Sequence, residues 1–193
     1  MQRTLDAREV FARRDPAAAG LAQASEAIAL TCHAMAGRFR SGGRLFSFGN
    51  GGAATDAQHI AVEFVHPVIV GKPALPALAL TGDVATLTGI GAGSGFDEIF
   101  AHQLQYFARP GDIALGISAD GRCRNVLHAL REARRLGLLT VALLGGDGGL
   151  MAEDADHAIV VRSDDPLVVK EVHVTAYHLL WELTHVFLER GIP

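Results

Sequence analysis

The chain has 193 residues, 49% of them apolar and 20% charged, with a formal net charge of −4. That balance supplies a hydrophobic core and excludes a disordered chain. It also lacks the strong basic field that would hold nucleic acid or an anionic membrane, so neither is expected as a partner.

Only two cysteines occur, Cys32 and Cys123, without metal-ligand spacing and too few for a disulfide framework. The N-terminal MQRTLDAREVFARR is charged and has no apolar signal core. No run of about twenty apolar residues predicts a membrane span. The expectation is a cytoplasmic protein.

In chain order, Thr4 to Arg13 reads as a short amphipathic helix. Asp15-Pro16 then reads as an N-cap followed by a proline at the first helical position. One long alanine-rich helix follows and stops near Ser41-Gly42-Gly43. Such helices need a partner surface, so residues 1–41 are expected as an arm packed on the domain or on another subunit. From Arg44 the pattern changes. Apolar strands at 44–48, 77–80, 112–117, 139–144 and 157–161 alternate with helices at 54–65, 83–90, 97–107, 123–136, 149–154 and 166–189. Near-continuous apolar strands separated by helices predict an α/β core with a parallel sheet buried on both faces. The glycine-rich stretch Gly89 to Gly95 follows no strand and is expected to be a flexible loop.

Ligands bind such sheets beyond the carboxyl ends of the strands, which selects Gly49–Ala53, Thr81–Asp83 and Ser118–Cys123. Gly49-Asn50-Gly51-Gly52-Ala53-Ala54 fits the loose G-x-G-x-x-A pattern, and its glycines would let an anion approach backbone N–H groups at a helix start. A dinucleotide site would also need an acid about twenty residues on; the first acid after the second strand is Asp83, about thirty on. No nucleotide cofactor is expected.

The helix after this loop places His59 and Glu63 one turn apart on one face. The pair suits a helix-face hydrogen bond, zinc ligation or acid–base chemistry. The final helix carries Lys170, Glu171, His173, Tyr177, His178, Trp181 and His185. By itself that is a packing helix with histidines at its edge.

Together, FGNGGAATDAQHIAVEF (48–64), KPALPALALT (72–81), GFDEIFAHQL (95–104), ARPGDIALGIS (108–118), VALLGGDGG (141–149) and KEVHVTAYHLLWEL (170–183) resemble the phosphoheptose isomerase family of sugar-isomerase (SIS) domains. The resemblance implies an SIS-type three-layer sandwich with a five-stranded parallel sheet. It implies one domain over 1–193, with an N-terminal helical arm at 1–41 and an α/β core at 42–193. It further implies a homotetramer with active sites between subunits. The family's reaction interconverts sedoheptulose 7-phosphate and an aldoheptose 7-phosphate through an enediol. By resemblance, Glu63 and His178 carry the proton transfers. His59, Glu63 and His178 are the implied ligands of an optional zinc ion, one per subunit. Asn50, Gly51, Gly52, Ser118, Asp120, Arg122, Cys123 and Lys170 are the implied substrate contacts.

The departures from the family pattern cluster at this site. Lys170 stands where the family has a glutamine as fourth metal ligand, and Leu167 replaces an acid in the turn before it. Ala92-Gly93 replaces an asparagine–aspartate pair, and Ala53 replaces a serine. The family's hydroxyl-rich phosphate loop is here Ser118-Ala119-Asp120-Gly121-Arg122-Cys123. Asp120 is either a carboxylate in an anion pocket or a helix N-cap. Arg122 and Arg124 would offset it by pairing with it or by gripping an anion. An altered ligand is therefore favoured. The competing function is a non-catalytic sugar-phosphate- or protein-binding module, like relatives that associate with the bacterial replication initiator. A third reading makes Lys170 a Schiff-base lysine.

Overall fold

Five short strands carry apolar side chains at nearly every position, and pairing them in parallel buries both faces of one sheet. They are β1 (Leu45–Gly49), β2 (Ala77–Ala79), β3 (Ile113–Ser118), β4 (Leu139–Gly145) and β5 (His157–Val161), in the order β2-β1-β3-β4-β5. The structure, a computed structural model, describes residues 6–190. Thr4 and Leu5 of the expected first helix lie outside the described residues.

Side chains alternate across the sheet with the period of two that a strand imposes. Leu45, Ile113, Leu115, Ile117, Val141 and Leu143 join one core cluster. Phe46, Phe48, Ala114, Ala142 and Leu144 join the other. Helices α1 (Ala7–Ala12), α2 (Asp15–Gln23), α3 (Ser25–Arg40), α4 (Gly52–Val65), α5 (Val84–Ser94), α6 (Ala101–Phe107), α7 (Arg124–Arg135), α8 (Met151–Asp154) and α9 (Pro166–Arg190) complete the chain, with a 3-10 turn at Phe96–Glu98. Residues of α2, α3, α4 and α9 pack in the first cluster; residues of α6, α7 and α8 pack in the second. The result is the expected three-layer α/β sandwich.

The expected arm packs on its own chain: Ala17, Leu21, Ile28, Cys32, Met35 and Phe39 are buried in the cluster that α9 shares. Four local expectations change. The long helix is two helices, because Ala24 closes a tight turn in which its N–H reaches both Gly20 O and Leu21 O. Asp15 is not the N-cap; it opens α2 beside Pro16, where its charge faces the helix N-terminus, and Arg14 holds the cap position. Gly89 to Gly95 is not a loop: α5 runs through Gly89, Gly91 and Gly93 and stops where Gly95 takes φ 97°. The helix expected at 97–107 is divided into the 3-10 turn and α6.

One close approach fixes the loop after β3. Gly121 has φ 69°, and a Cβ there would collide with the carbonyl oxygen of Gly148 in the loop after β4. Gly121→Ala is expected to lower stability by about 2–4 kcal/mol, combining left-handed backbone strain with overpacking. Urea unfolding measures it; an unchanged midpoint would show that the two loops do not meet as described.

Candidate active site

The strand order reverses between β1 and β3, since β1 leads outward to β2 and β3 leads the other way to β4 and β5. Loops leaving the carboxyl ends of such neighbours diverge and open a cleft. Here the loops are Gly49-Asn50-Gly51, with Gly51 at φ 55°, and Ser118–Cys123. Asn50 and Asn125 tie them together with two reciprocal amide hydrogen bonds of 2.8 Å each.

α4 leaves the first loop and runs beside α9. Contacts ascend both helices together: Lys170 meets Gly52 and Asp56, Tyr177 meets His59, and His178 approaches Glu63. Two segments more than a hundred residues apart thereby form one groove.

At its far end sit His59, Glu63 and His178. His59 Nε2 is 3.1 Å and His178 Nε2 is 4.0 Å from Glu63 Oε1. Glu63 is buried, whereas both imidazoles are about half exposed. His178 Nδ1 lies 2.8 Å from Val174 O and must donate to it, which turns Nε2 toward the site. His59 Nδ1 lies 2.7 Å from the Tyr177 hydroxyl, which leaves its Nε2 facing Glu63. Burial pushes the Tyr177 phenol well above its usual range, with Asp56 and Glu63 adding to the effect, so it stays protonated. All three potential ligand atoms lie within 4.8 Å of one another. Ligand atoms on a tetrahedral zinc with bonds of about 2.0–2.1 Å stand about 3.3 Å apart, so a small contraction would close the set.

At its near end the groove opens into a cleft of about 360 Å³ lined by Asn50, Gly52, Asp56, Ser118, Asp120, Cys123, Lys170 and His173 among others. Lys170 does not face His178. Its ammonium is 2.5 Å from Asp56 Oδ1, 2.6 Å from Gly52 O and 3.0 Å from Thr55 Oγ1. Lys170 thus sits in an ion pair with Asp56. Asp56 and His173 line the cleft, and their buried Oδ2 and Nε2 atoms have no hydrogen-bond partner among the described residues.

Asp120 is not an N-cap: Cys123 holds the cap position of α7. Asp120 instead closes its own loop. Its Oδ1 accepts from Arg122 N at 2.9 Å and from the Ser118 hydroxyl at 3.2 Å. The two arginines form their ion pairs elsewhere, although Arg122 also feels the Asp120 charge and donates Nη1 to Asp120 O at 2.9 Å. Arg122 binds Asp147 at 2.7 Å and Arg124 binds Asp97 at 2.9 Å. The Arg122 guanidinium holds the Asp147 carboxyl down at about 2.

Of the residues singled out from the sequence, Asn50, Gly52, Ser118, Asp120, Cys123 and Lys170 line one cleft, with Gly51 turning the chain beside it. Arg122 lines the adjoining depression with Asp147. Sequence reasoning gave no role to Asp56, Asn125, His173 or Tyr177. Asp56 could have been found, since it precedes His59 by three positions and Glu63 by seven and so shares their helix face.

The chain is similar to known proteins in sequence and in fold. The SIS domain family matches residues 14–145. A phosphoheptose isomerase of Desulfovibrio desulfuricans is 44% identical over 151 residues, 78% of this chain and 72% of that protein. One of Chlorobaculum parvum is 43% identical over 179 residues, 91% of this chain and 81% of that protein. The solved structure of a phosphoheptose isomerase from Francisella tularensis superposes with a TM-score of 0.88 at 34% identity, covering 93% of this chain and 96% of its own.

His173 generates a pH-dependent stability. Burial holds its imidazole below the usual range and Lys170 pushes it the same way, while Leu144 and Asp56 act against them. An unfolded histidine takes up a proton near pH ~6.5. The native state refuses that proton, so the contribution is complete above about 6.5 and declines as pH falls below it. Urea midpoints measured from pH 7.5 to 5.5 are expected to fall less steeply for His173→Gln than for the parent. Equal slopes would exclude His173 as the proton-refusing group.

Proposed function

The chain belongs to the SIS-domain family, in its phosphoheptose isomerase branch, and from that premise we propose an aldose–ketose isomerase that acts on a sugar phosphate through an enediol. One observation carries the reading: α4 and α9 deliver a buried carboxylate and an imidazole to the same point, 4.0 Å apart. In this reading sedoheptulose 7-phosphate, or a close analogue, is the substrate.

Glu63, as the carboxylate, removes the proton from the carbon beside the carbonyl and returns it to the neighbouring carbon. His178 acts as the imidazolium: it gives a proton from Nε2 to the carbonyl oxygen as the enediol forms, keeping Nδ1–H on Val174 O, and recovers one at Nε2 from the adjacent hydroxyl. The hydrogen bond to Val174 O fixes the ring orientation for both steps. Lys170 lies eight residues, or about 12 Å of helix, before His178. A sugar chain can therefore lie along the groove with its reacting end at Glu63. Its other end would then meet Asn50, Gly51, Gly52, Ser118, Asp120, Arg122, Cys123 and Lys170.

His59, Glu63 and His178 fit a divalent metal, one per subunit, because both imidazoles present Nε2 to the carboxylate while their Nδ1 atoms are held elsewhere. Bound zinc would polarise the carbonyl oxygen or orient the hydroxyls. Lys170 is not a fourth ligand in this reading, since its ammonium is committed to Asp56.

We treat 1–193 as one cytoplasmic SIS domain, with 1–41 as its arm, that assembles as a homotetramer. Apolar surface supports assembly: Val70 is 100% and Val68 72% exposed, and on α5 Val84 is 69% exposed while only Leu87 and Ile90 pack, partly buried, on the core. Exposed apolar side chains of that kind suit contacts with other chains. No described helix is long and apolar enough to cross a membrane. The second reading, a non-catalytic sugar-phosphate- or protein-binding module, draws on one observation: Asp120 consumes donors of its own loop.

Glu63→Gln is expected to slow isomerisation, and isotope exchange at the carbon beside the carbonyl, by about 10²–10⁴-fold with unchanged melting temperature. Exchange absent from the parent protein across a panel of ketose phosphates would favour the binding module. Equilibrium dialysis is expected to recover one zinc per chain from the parent and none from a His59→Ala, His178→Ala double variant; equal uptake would remove the triad as the metal site. Val68→Asp with Val70→Asp is expected to lower the sedimentation mass. An unchanged mass would place any subunit contact elsewhere.

A further inference from the structure

Tyr177 immediately precedes His178 on α9 and belongs to the apolar cluster beneath the groove, where it is 1% exposed. A buried phenol needs a partner for its hydroxyl. Here the partner is Nδ1 of His59 at 2.7 Å, on the facing helix. The same ring packs on both imidazoles of the triad. Its centroid is 5.2 Å from that of His59, edge-on, and 4.9 Å from that of His178. One side chain thus touches both histidines, and it holds His59 by the ring nitrogen that does not face Glu63.

The proton positions follow from the chemistry of the partners. An ionised carboxylate only accepts, so His59 Nε2, 3.1 Å from Glu63 Oε1, donates to it. A neutral imidazole carries one N–H, which leaves Nδ1 bare and makes the Tyr177 hydroxyl its donor. His178 differs. Its Nδ1 faces Val174 O, and a carbonyl oxygen only accepts, so the proton on that side is fixed. A phenol hydroxyl donates or accepts. When a metal takes Nε2 of His59, the neutral ring must carry its proton on Nδ1, and the Tyr177 oxygen stands ready to accept it. Of the two imidazoles, His59 therefore has the partner that serves both tautomers.

We propose that Tyr177 is a positioning residue of the triad: its hydroxyl donates to His59 Nδ1 while Nε2 holds the Glu63 carboxylate, and accepts from Nδ1–H when Nε2 ligates a divalent metal. One histidine can then serve the acid–base site with or without a metal. This deepens the preceding reading and rests on its assignment of His59, Glu63 and His178. Tyr177 has no contact with substrate in that reading; it acts through His59.

Tyr177→Phe removes the hydroxyl and keeps the ring, so the packing on both imidazoles persists. Zinc affinity, measured by competition with a chromophoric chelator, is expected to weaken about 10–100-fold, the usual cost of losing the outer partner of a metal-bound histidine. A tyrosine that only fills space lowers the melting temperature and leaves that affinity alone, so equal affinity in the parent and the folded variant overturns the proposal. Nitrogen-15 spectra of the His59 ring give a second readout. They are recorded on chelator-treated protein at about pH 8.5, well above the ~6.5 of an ordinary imidazole. In the parent, Nε2 is expected to be protonated and Nδ1 bare, with zinc reversing the two. The Nδ1 signal is expected to shift in Tyr177→Phe, where its donor is lost. A protonated Nδ1 in the chelator-treated parent overturns the proposal. If the variant does not fold, the parent spectra decide alone. If the parent takes up no zinc, the metal reading fails on its own; a bare Nδ1 that shifts in the variant then upholds the positioning role, and one that does not shift overturns it. Isotope exchange absent from the parent would bear on the isomerase reading and leave both readouts untouched.

Discussion

The side-by-side packing of α4 and α9 is the constraint on which the site depends. Ala57, Ile60 and Phe64 of α4, with Val172, Ala176 and Leu180 of α9, are buried in one cluster against the sheet. The Ser47 hydroxyl donates to Ala57 O at 2.6 Å, which fastens α4 to β1 from below. Once those apolar stripes face inward, the neighbouring stripe of each helix is fixed by helical geometry. Asp56, His59 and Glu63 then line one wall of the groove, and Lys170, Tyr177 and His178 line the other. The chemistry needs no loop to position it, because two regular elements hold it on a rigid sheet.

Charge around the cleft follows a consistent rule: each cation near its mouth is matched to a carboxylate of the same chain. Arg122 with Asp147 and Arg124 with Asp97 are exposed pairs, and pairs of that kind add little to stability. Their consequence is electrostatic, since they remove free positive charge from the place where an anionic ligand would arrive. Lys170 with Asp56 differs, because Asp56 is almost wholly buried. There the ammonium compensates a carboxylate that would otherwise stand in the interior without a counter-charge.

Much of this was legible in the sequence for a physical reason. Strands buried on both faces give continuous apolar runs, and all five were placed within about a residue of their observed limits. The groove residues His59, Glu63 and His178 could be named because they lie on helices, where spacing defines a face. The boundary errors fall where a local signal opposed the larger pattern. Gly89 to Gly95 carries a loop composition, yet three of its glycines continue a helix that Asp83 had capped at its start. The break at Ala24 has no glycine or proline to mark it, and it follows from how α2 and α3 both settle on α9. The partners of Arg122 and Arg124 lie about 25 residues away on other loops, beyond the reach of any local pattern.

Lys170 shows why a single substitution is hard to judge outside its surroundings. Set against the family's glutamine, it reads as a lost metal ligand and as a cation opposing the metal's charge. In the folded chain it belongs to a different pair, one turn nearer the cleft, and its ammonium is held by Asp56, Gly52 O and Thr55. Under the metal-binding proposal, His59, Glu63 and His178 would supply three protein ligands. Three protein ligands with one position left to water or substrate is the arrangement of catalytic zinc, whereas four protein ligands close a structural site. On that reading, exchanging the glutamine for lysine leaves the proposed acid–base roles of Glu63 and His178 available. What it changes is the electrostatics of the neighbouring cleft, where Asp56 now has its counter-ion.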